Sequence, residues 1–143
     1  VSRASLAERL AGAWSLVSYE ALGADGSVSH PMGRRVAGLL AYTPDGFMSV
    51  QIMSADRRPW GRPGTDADRA DAAAGYLAYA GRYEIDEDAA TVVHHVAVSL
   101  VPNWVGSAQR RSIALSGDGL ELTGAPTVID GERRTPRLSW RRL

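Results

Sequence analysis

Thr91-Val92-Val93-His94-His95-Val96-Ala97-Val98-Ser99-Leu100-Val101 is the stretch on which the fold turns. It is rich in β-branched residues, and along an extended chain successive side chains point to opposite faces. One face then carries Val92, His94, Val96, Val98 and Leu100; the other carries Thr91, Val93, His95, Ala97 and Ser99. The first face is the more apolar, so it is expected to turn inward, with His94 inside and His95 outside. Two adjacent imidazoles on opposite faces do not share one metal ion. With His30 the only other histidine and no cysteine in the chain, no metal site is expected.

Turn signals lie on both sides of this strand. Gly23-Ala24-Asp25-Gly26, Thr43-Pro44-Asp45-Gly46, Asp86-Glu87-Asp88, Ser116-Gly117-Asp118-Gly119 and Ile129-Asp130-Gly131-Glu132 are rich in the residues that tight turns require. Between them, runs 14–21, 28–30, 36–43, 47–54, 81–86, 109–116, 119–123, 127–129 and 137–141 read as further strands. Short strands joined by hairpin turns predict an all-β fold: an antiparallel up-and-down β-barrel of eight to ten strands. Closure of the barrel removes exposed edges. One or two short helices complete it, over 2–10 with Ser5 as cap and over 65–79. The second opens on Thr65-x-x-Asp68, a capping-box spacing. At 143 residues the chain is expected to form a single domain over 1–143. The loop 55–64, with Trp60 among arginines and prolines, reads equally as a lid and as a solvated connector.

Alternation also sorts the other strands. Leu40 and Tyr42 share a face, as do Met48 and Val50, Tyr83 and Ile85, Ile113 and Leu115, and Leu138 and Trp140. In 14–21 the faces are Trp14, Leu16, Ser18, Glu20 and Ser15, Val17, Tyr19, and pattern alone does not choose between them. Trp14, Leu40, Met48, Val50, Val96, Ile113 and Trp140 are the expected apolar wall of a pocket, with Asn103 and Trp104 offering donors at its mouth. His94 is the leading catalytic candidate, because an imidazole in an apolar lumen can move a proton near neutral pH. Its alternative is a core histidine tied to a carbonyl or tyrosine. Glu20 is its acidic partner if the Trp14 face turns inward; the alternative is a carboxylate on the rim. Tyr42 and Tyr83 would polarise a carbonyl, or else fill space and bond to backbone. The arginine doublets at 34–35, 57–58, 110–111, 133–134 and 141–142 read as solvated strand ends.

Composition excludes several classes of function. Basic and acidic residues balance at 16 each, which gives no electrostatic argument for nucleic acid. No apolar run approaches the roughly 18 to 20 residues of a membrane span. All the basic residues are arginine, so Schiff-base chemistry and a P-loop lysine are absent. There is no Gly-x-Gly-x-x-Gly and no Gly-x-Ser-x-Gly, and no cofactor is expected. The charged N-terminal segment does not read as a secretory signal, and a cytoplasmic location is expected.

Four blocks carry a resemblance. They are 12–20 (GAWSLVSYE), 38–49 (GLLAYTPDGFMS), 79–84 (YAGRYE) and 94–106 (HHVAVSLVPNWVG). Together they resemble the bacterial and fungal lipocalin-like domain family, across about Leu10 to Trp140. The resemblance implies a small calycin-type barrel around a central pocket. It also implies that Trp14 packs at the closed end under an arginine of a late strand, for which Arg111 and Arg141 are candidates. Family members often stand beside natural-product biosynthesis enzymes. The secreted lipocalins usually carry signal peptides and disulfides; this chain shows neither, so extracellular transport is not expected. The leading functional expectation is binding of a small hydrophobic metabolite in natural-product biosynthesis. The alternative is a cofactor-independent cyclase, isomerase or dehydratase on a polyketide- or terpene-like substrate, with His94, Glu20, Tyr42 and Tyr83 moving protons. A third is a filled barrel with an outer interaction surface. Homodimerisation is left open.

Overall fold

The computed structural model describes residues 4–143. Its elements in chain order are α1 (Leu6–Leu10), β1 (Gly12–Leu22), β2 (Val28–Ser29), β3 (Val36–Tyr42), β4 (Phe47–Ser54), α2 (Asp66–Ala74), β5 (Tyr76–Asp86), β6 (Thr91–Ser99), a 3-10 turn (Pro102–Trp104), β7 (Ala108–Ser116), β8 (Gly119–Gly124), β9 (Thr127–Ile129) and β10 (Glu132–Arg142). Ser2 and Arg3 of the expected first helix lie outside the described residues.

Eight strands close into an antiparallel barrel in the order β1-β3-β4-β5-β6-β7-β8-β10, and β10 returns to pair with β1 from Trp14↔Arg142 to Leu22↔Thr135. The two short strands add to this wall from outside: β2 extends the end of β1, and β9 pairs with the start of β10. The all-β, up-and-down lipocalin-like barrel expected from alternation and turn spacing is therefore the observed architecture.

Two bulges invert faces that simple alternation would carry through. On β1, Leu16 pairs with Trp140 and Ser18 with Ser139, so Val17 is an extra residue and stands exposed. Trp14 and Leu16 face inward before it, Tyr19 and Ala21 after it, and Glu20 is turned away from the interior. On β6, Gly81 pairs with Val96 and Ala80 with Val98, which leaves Ala97 as the extra residue. Val92, His94 and Val96 are buried as expected. Val98 and Leu100 are exposed instead, because the bulge reverses the strand. The bulge requires glycine opposite it: a Cβ at Gly81 would stand 1.8 Å from the His95 carbonyl oxygen.

The second helix is shorter than 65–79. The capping box forms, with Thr65 Oγ1 accepting from Asp68 N–H at 3.1 Å and Asp68 Oδ2 accepting from Thr65 N–H at 2.9 Å. The helix then stops at Gly75, and Tyr76 to Tyr79 join the ladder with β4. Alanines give α2 helical propensity but little to bury, and none of its residues is buried.

One end of the barrel is packed shut. Trp14 is fully buried and donates its indole N–H to the Leu10 carbonyl at 2.9 Å. The guanidinium of Arg142 lies 4.2 Å from the Trp14 ring centre, and it donates to the Ala11 carbonyl at 3.0 Å and to the Arg9 carbonyl. The arginine over Trp14 is thus Arg142, in place of Arg111 or Arg141, because Arg142 is the residue of β10 directly opposite Trp14. The Glu87 carboxylate accepts from the Leu6 and Ala7 N–H groups at 2.8 and 3.2 Å, which seats α1 against the β5–β6 turn. Leu143 donates to the Ala13 carbonyl at 3.0 Å, so α1 and the residue that follows β10 meet at this end.

Candidate functional site

The other end opens into a cavity of about 440 Å3. Leu40, Val50, Ile52, Leu122, Leu138 and Trp140 supply much of its apolar wall, and Trp104 and Val128 stand among its lining. Of the expected wall residues, Leu40, Val50, Trp104 and Trp140 line this cavity. Trp14, Met48, Val96 and Ile113 are core instead, buried but outside the cavity wall. Asn103 is exposed on the 3-10 turn and does not line it.

His94 sits at the wall, 2% exposed, between two phenols. Its Nε2 is 2.6 Å from the Tyr42 hydroxyl and its Nδ1 is 2.7 Å from the Tyr79 hydroxyl. Burial pushes the imidazole pKa down from 6.5 to about 3, with the charges of Arg111 and then His95 acting in the same direction. Burial also raises both tyrosines, Tyr42 the more strongly. All three groups are therefore neutral near pH 7, and a neutral imidazole carries only one proton. Tyr42 is fully enclosed and His94 is its one hydrogen-bonding partner among the described residues. Its hydroxyl must donate to Nε2, since any other arrangement leaves its proton buried without an acceptor. Nδ1–H then donates to the Tyr79 oxygen, and the Tyr79 proton is left to point into the cavity that Tyr79 lines.

The other two expected catalytic residues are elsewhere. Tyr83 packs edge-on against Tyr42 with ring centres 4.9 Å apart, but its hydroxyl donates to the Thr43 carbonyl at 2.6 Å, towards the packed end. Glu20, turned outward by the Val17 bulge, accepts from Arg137 at 2.8 Å on the outer surface. Of the two readings of Glu20, the carboxylate outside the lumen is the one observed: strict alternation from Trp14 would put it inside, and one extra residue puts it outside.

The structure adds groups that the sequence reading passed over. Tyr79 was absorbed into an alanine-rich helix. The signal that finds it is the alternation Leu77, Tyr79, Gly81, Tyr83, Ile85, which runs unbroken along β5. Arg111 reads from the sequence as half of a solvated doublet and, by the resemblance, as a candidate to cover Trp14; Gln109, Arg111, Ile113 and Leu115 form the inward face of β7 instead. Arg111 lines the cavity and donates to the Arg110 carbonyl at 2.9 Å and to Gln109 Oε1 at 3.4 Å. No carboxylate among the described residues forms an ion pair with it. Tyr19 also lines the cavity. The indole N–H of Trp140, on a residue 2% exposed, has no hydrogen-bond partner among the described residues. Among those residues, no three His, Cys, Asp or Glu side chains gather as metal ligands, and no helix is long and apolar enough to cross a membrane.

Comparison with known proteins agrees with this geometry. A family model described as a lipocalin-like domain matches residues 11–143. The chain is similar to the 4'-hydroxy-3'-methoxypropiophenone carrier protein ppsC of Aspergillus oryzae, 42% identical over 87 residues that cover 56% of this chain and 78% of that relative.

Proposed function

The chain belongs to the lipocalin-like domain family, and on that footing we propose that it is a carrier of a small, oxygen-bearing aromatic metabolite within a biosynthetic route. The observation that bears most weight is the cavity itself: about 440 Å3, apolar over much of its wall, with Arg111, Gln109, Tyr79 and Trp140 among its lining. That volume and character suit one small guest. The relative named as carrier of an aryl ketone supports the same class of guest here. Two features favour carriage over turnover. His94 is held on both ring nitrogens, and with its pKa near 3 it is a poor proton acceptor at neutral pH. Glu20 is engaged by Arg137 outside the barrel.

The test uses 4'-hydroxy-3'-methoxypropiophenone as probe, titrated by calorimetry and by tryptophan fluorescence. One molecule should bind per chain, quench the tryptophan emission and be recovered chemically unchanged after prolonged incubation. Failure of this probe and of other aryl ketones of similar size to bind would overturn the carrier reading. Steady conversion of the probe would replace it with the enzymatic one.

A further inference from the structure

We propose that the cavity selects its guest by charge: Arg111, with the Trp140 indole N–H and the Tyr79 hydroxyl, seats a small aromatic molecule whose oxygen is ionised when bound. The inference rests on the carrier reading and goes beyond it, since a pocket for neutral hydrophobic molecules needs no cation in its wall.

The polar groups facing the cavity are unusual in their sign. Arg111 offers N–H donors beyond the two contacts it makes with Arg110 and Gln109. Trp140 Nε1–H is buried and unpartnered, and an indole nitrogen only donates. The Tyr79 proton is directed inward by the order of hydrogen bonds through His94. Gln109 Oε1 receives Arg111 and both nitrogens of His94 meet phenols; the hydroxyls of Tyr19 and Thr127, which donate as well as accept, complete the polar lining. A cavity whose lining, among the described residues, carries a guanidinium and no carboxylate disfavours ammonium groups and favours carbonyl, phenolate or carboxylate oxygens. A guanidinium in a largely apolar wall loses hydration and has no carboxylate in compensation, so the arrangement is stabilised most by an anion supplied from outside the chain. A phenol para to a ketone meets both requirements. The conjugated carbonyl acidifies the hydroxyl, so the phenolate is accessible on Arg111. The ketone oxygen remains to accept from Trp140 or Tyr79.

The experiment compares 4'-hydroxy-3'-methoxypropiophenone with its 4'-O-methyl ether, which has no proton to lose. The phenolate of such a ketone absorbs at longer wavelength than the phenol, so the ionisation of the bound molecule is read directly from its spectrum against pH. In the wild type the bound phenol should ionise at least one pH unit below the free molecule. Measured above the pKa of the free phenol, its affinity should exceed that of the ether by about tenfold or more, one pH unit of preferential binding being a factor of ten there, and the advantage should vanish below the pKa of the bound phenol. Arg111→Gln and Arg111→Met should abolish both differences while the ether binds wild type and variants alike. Trp140→Phe, which keeps an aromatic ring and removes the donor, should weaken phenol and ether together by a few fold, and it remains informative should the Arg111 variants fail to fold. If phenol and ether bind equally in the wild type and the bound phenol ionises as it does in water, the charge selection is wrong and the carrier reading stands. If neither molecule binds, both fall.

Discussion

Two arginines facing the inside of the barrel, one at each end, are used in opposite ways. Arg142 at the packed end lies over the Trp14 ring and donates to two backbone carbonyls. Its charge is spread over an aromatic face and satisfied by the chain itself, which makes it part of the plug. Arg111 in the cavity wall meets only a neighbouring carbonyl and one amide oxygen. The tryptophans divide in the same manner: the Trp14 N–H is bonded to Leu10, and the Trp140 N–H is unpartnered. Donors are satisfied within the chain at the packed end and left over at the open one, which is where the proposed guest would be recognised.

That division is open to three measurements. The largest effect belongs to the plug. Trp14→Ala removes a fully buried indole, its hydrogen bond and the surface on which Arg142 rests, and should cost about 3 to 5 kcal/mol in urea unfolding. The variant protein that remains folded should bind the aryl ketone probe as the wild type does. A loss of affinity in that fraction would mean that the two ends are not separable.

The second concerns His94, which joins the two regions. Its pKa is about 3 folded and close to 6.5 in the unfolded chain, so between these values the unfolded state takes up a proton that the folded state refuses. Stability should therefore decline as pH falls from about 6.5 towards 3, by about 1 kcal/mol for each pH unit. His94→Gln should remove this component and flatten the profile. A wild-type profile no steeper than that of the variant would show that the imidazole is not held neutral.

The smallest effect is on the outer surface. Glu20→Gln loosens a partly buried pair with Arg137 on the outer wall and should change stability by about 1 kcal/mol or less. Affinity for the probe should not change. A tenfold loss would return Glu20 to the interior and overturn the placement of the Val17 bulge.

The barrel was legible in the sequence because its causes are local. Turn residues stand at the hairpins, and apolar residues alternate between them. Two parts of the site were not legible, for different reasons. Bulges at Val17 and Ala97 depend on how neighbouring strands meet, so they leave no mark in the periodicity of either strand alone. For that reason alternation alone left the side of Glu20 open and turned Val98 inward. The cavity-wall places of Tyr79 and Arg111 were hidden: alanines before Tyr79 suggest a helix, and Arg111 reads either as half of a solvated doublet or as the cover of Trp14. On a strand one member of a doublet always faces the other way from its partner. His94 and Tyr42 were found because a polar group on an otherwise apolar face is visible without knowledge of its neighbours.

The position of Leu143 has a practical consequence. Leu143 is hydrogen-bonded beside Ala13 at the plugged end, on the far side of the molecule from the cavity mouth. A protein fused there, or a surface to which the chain is tethered through that residue, would stand behind the barrel and leave its opening clear. Immobilised in this orientation, the molecule could take up a guest and hand it on without letting go of its anchor.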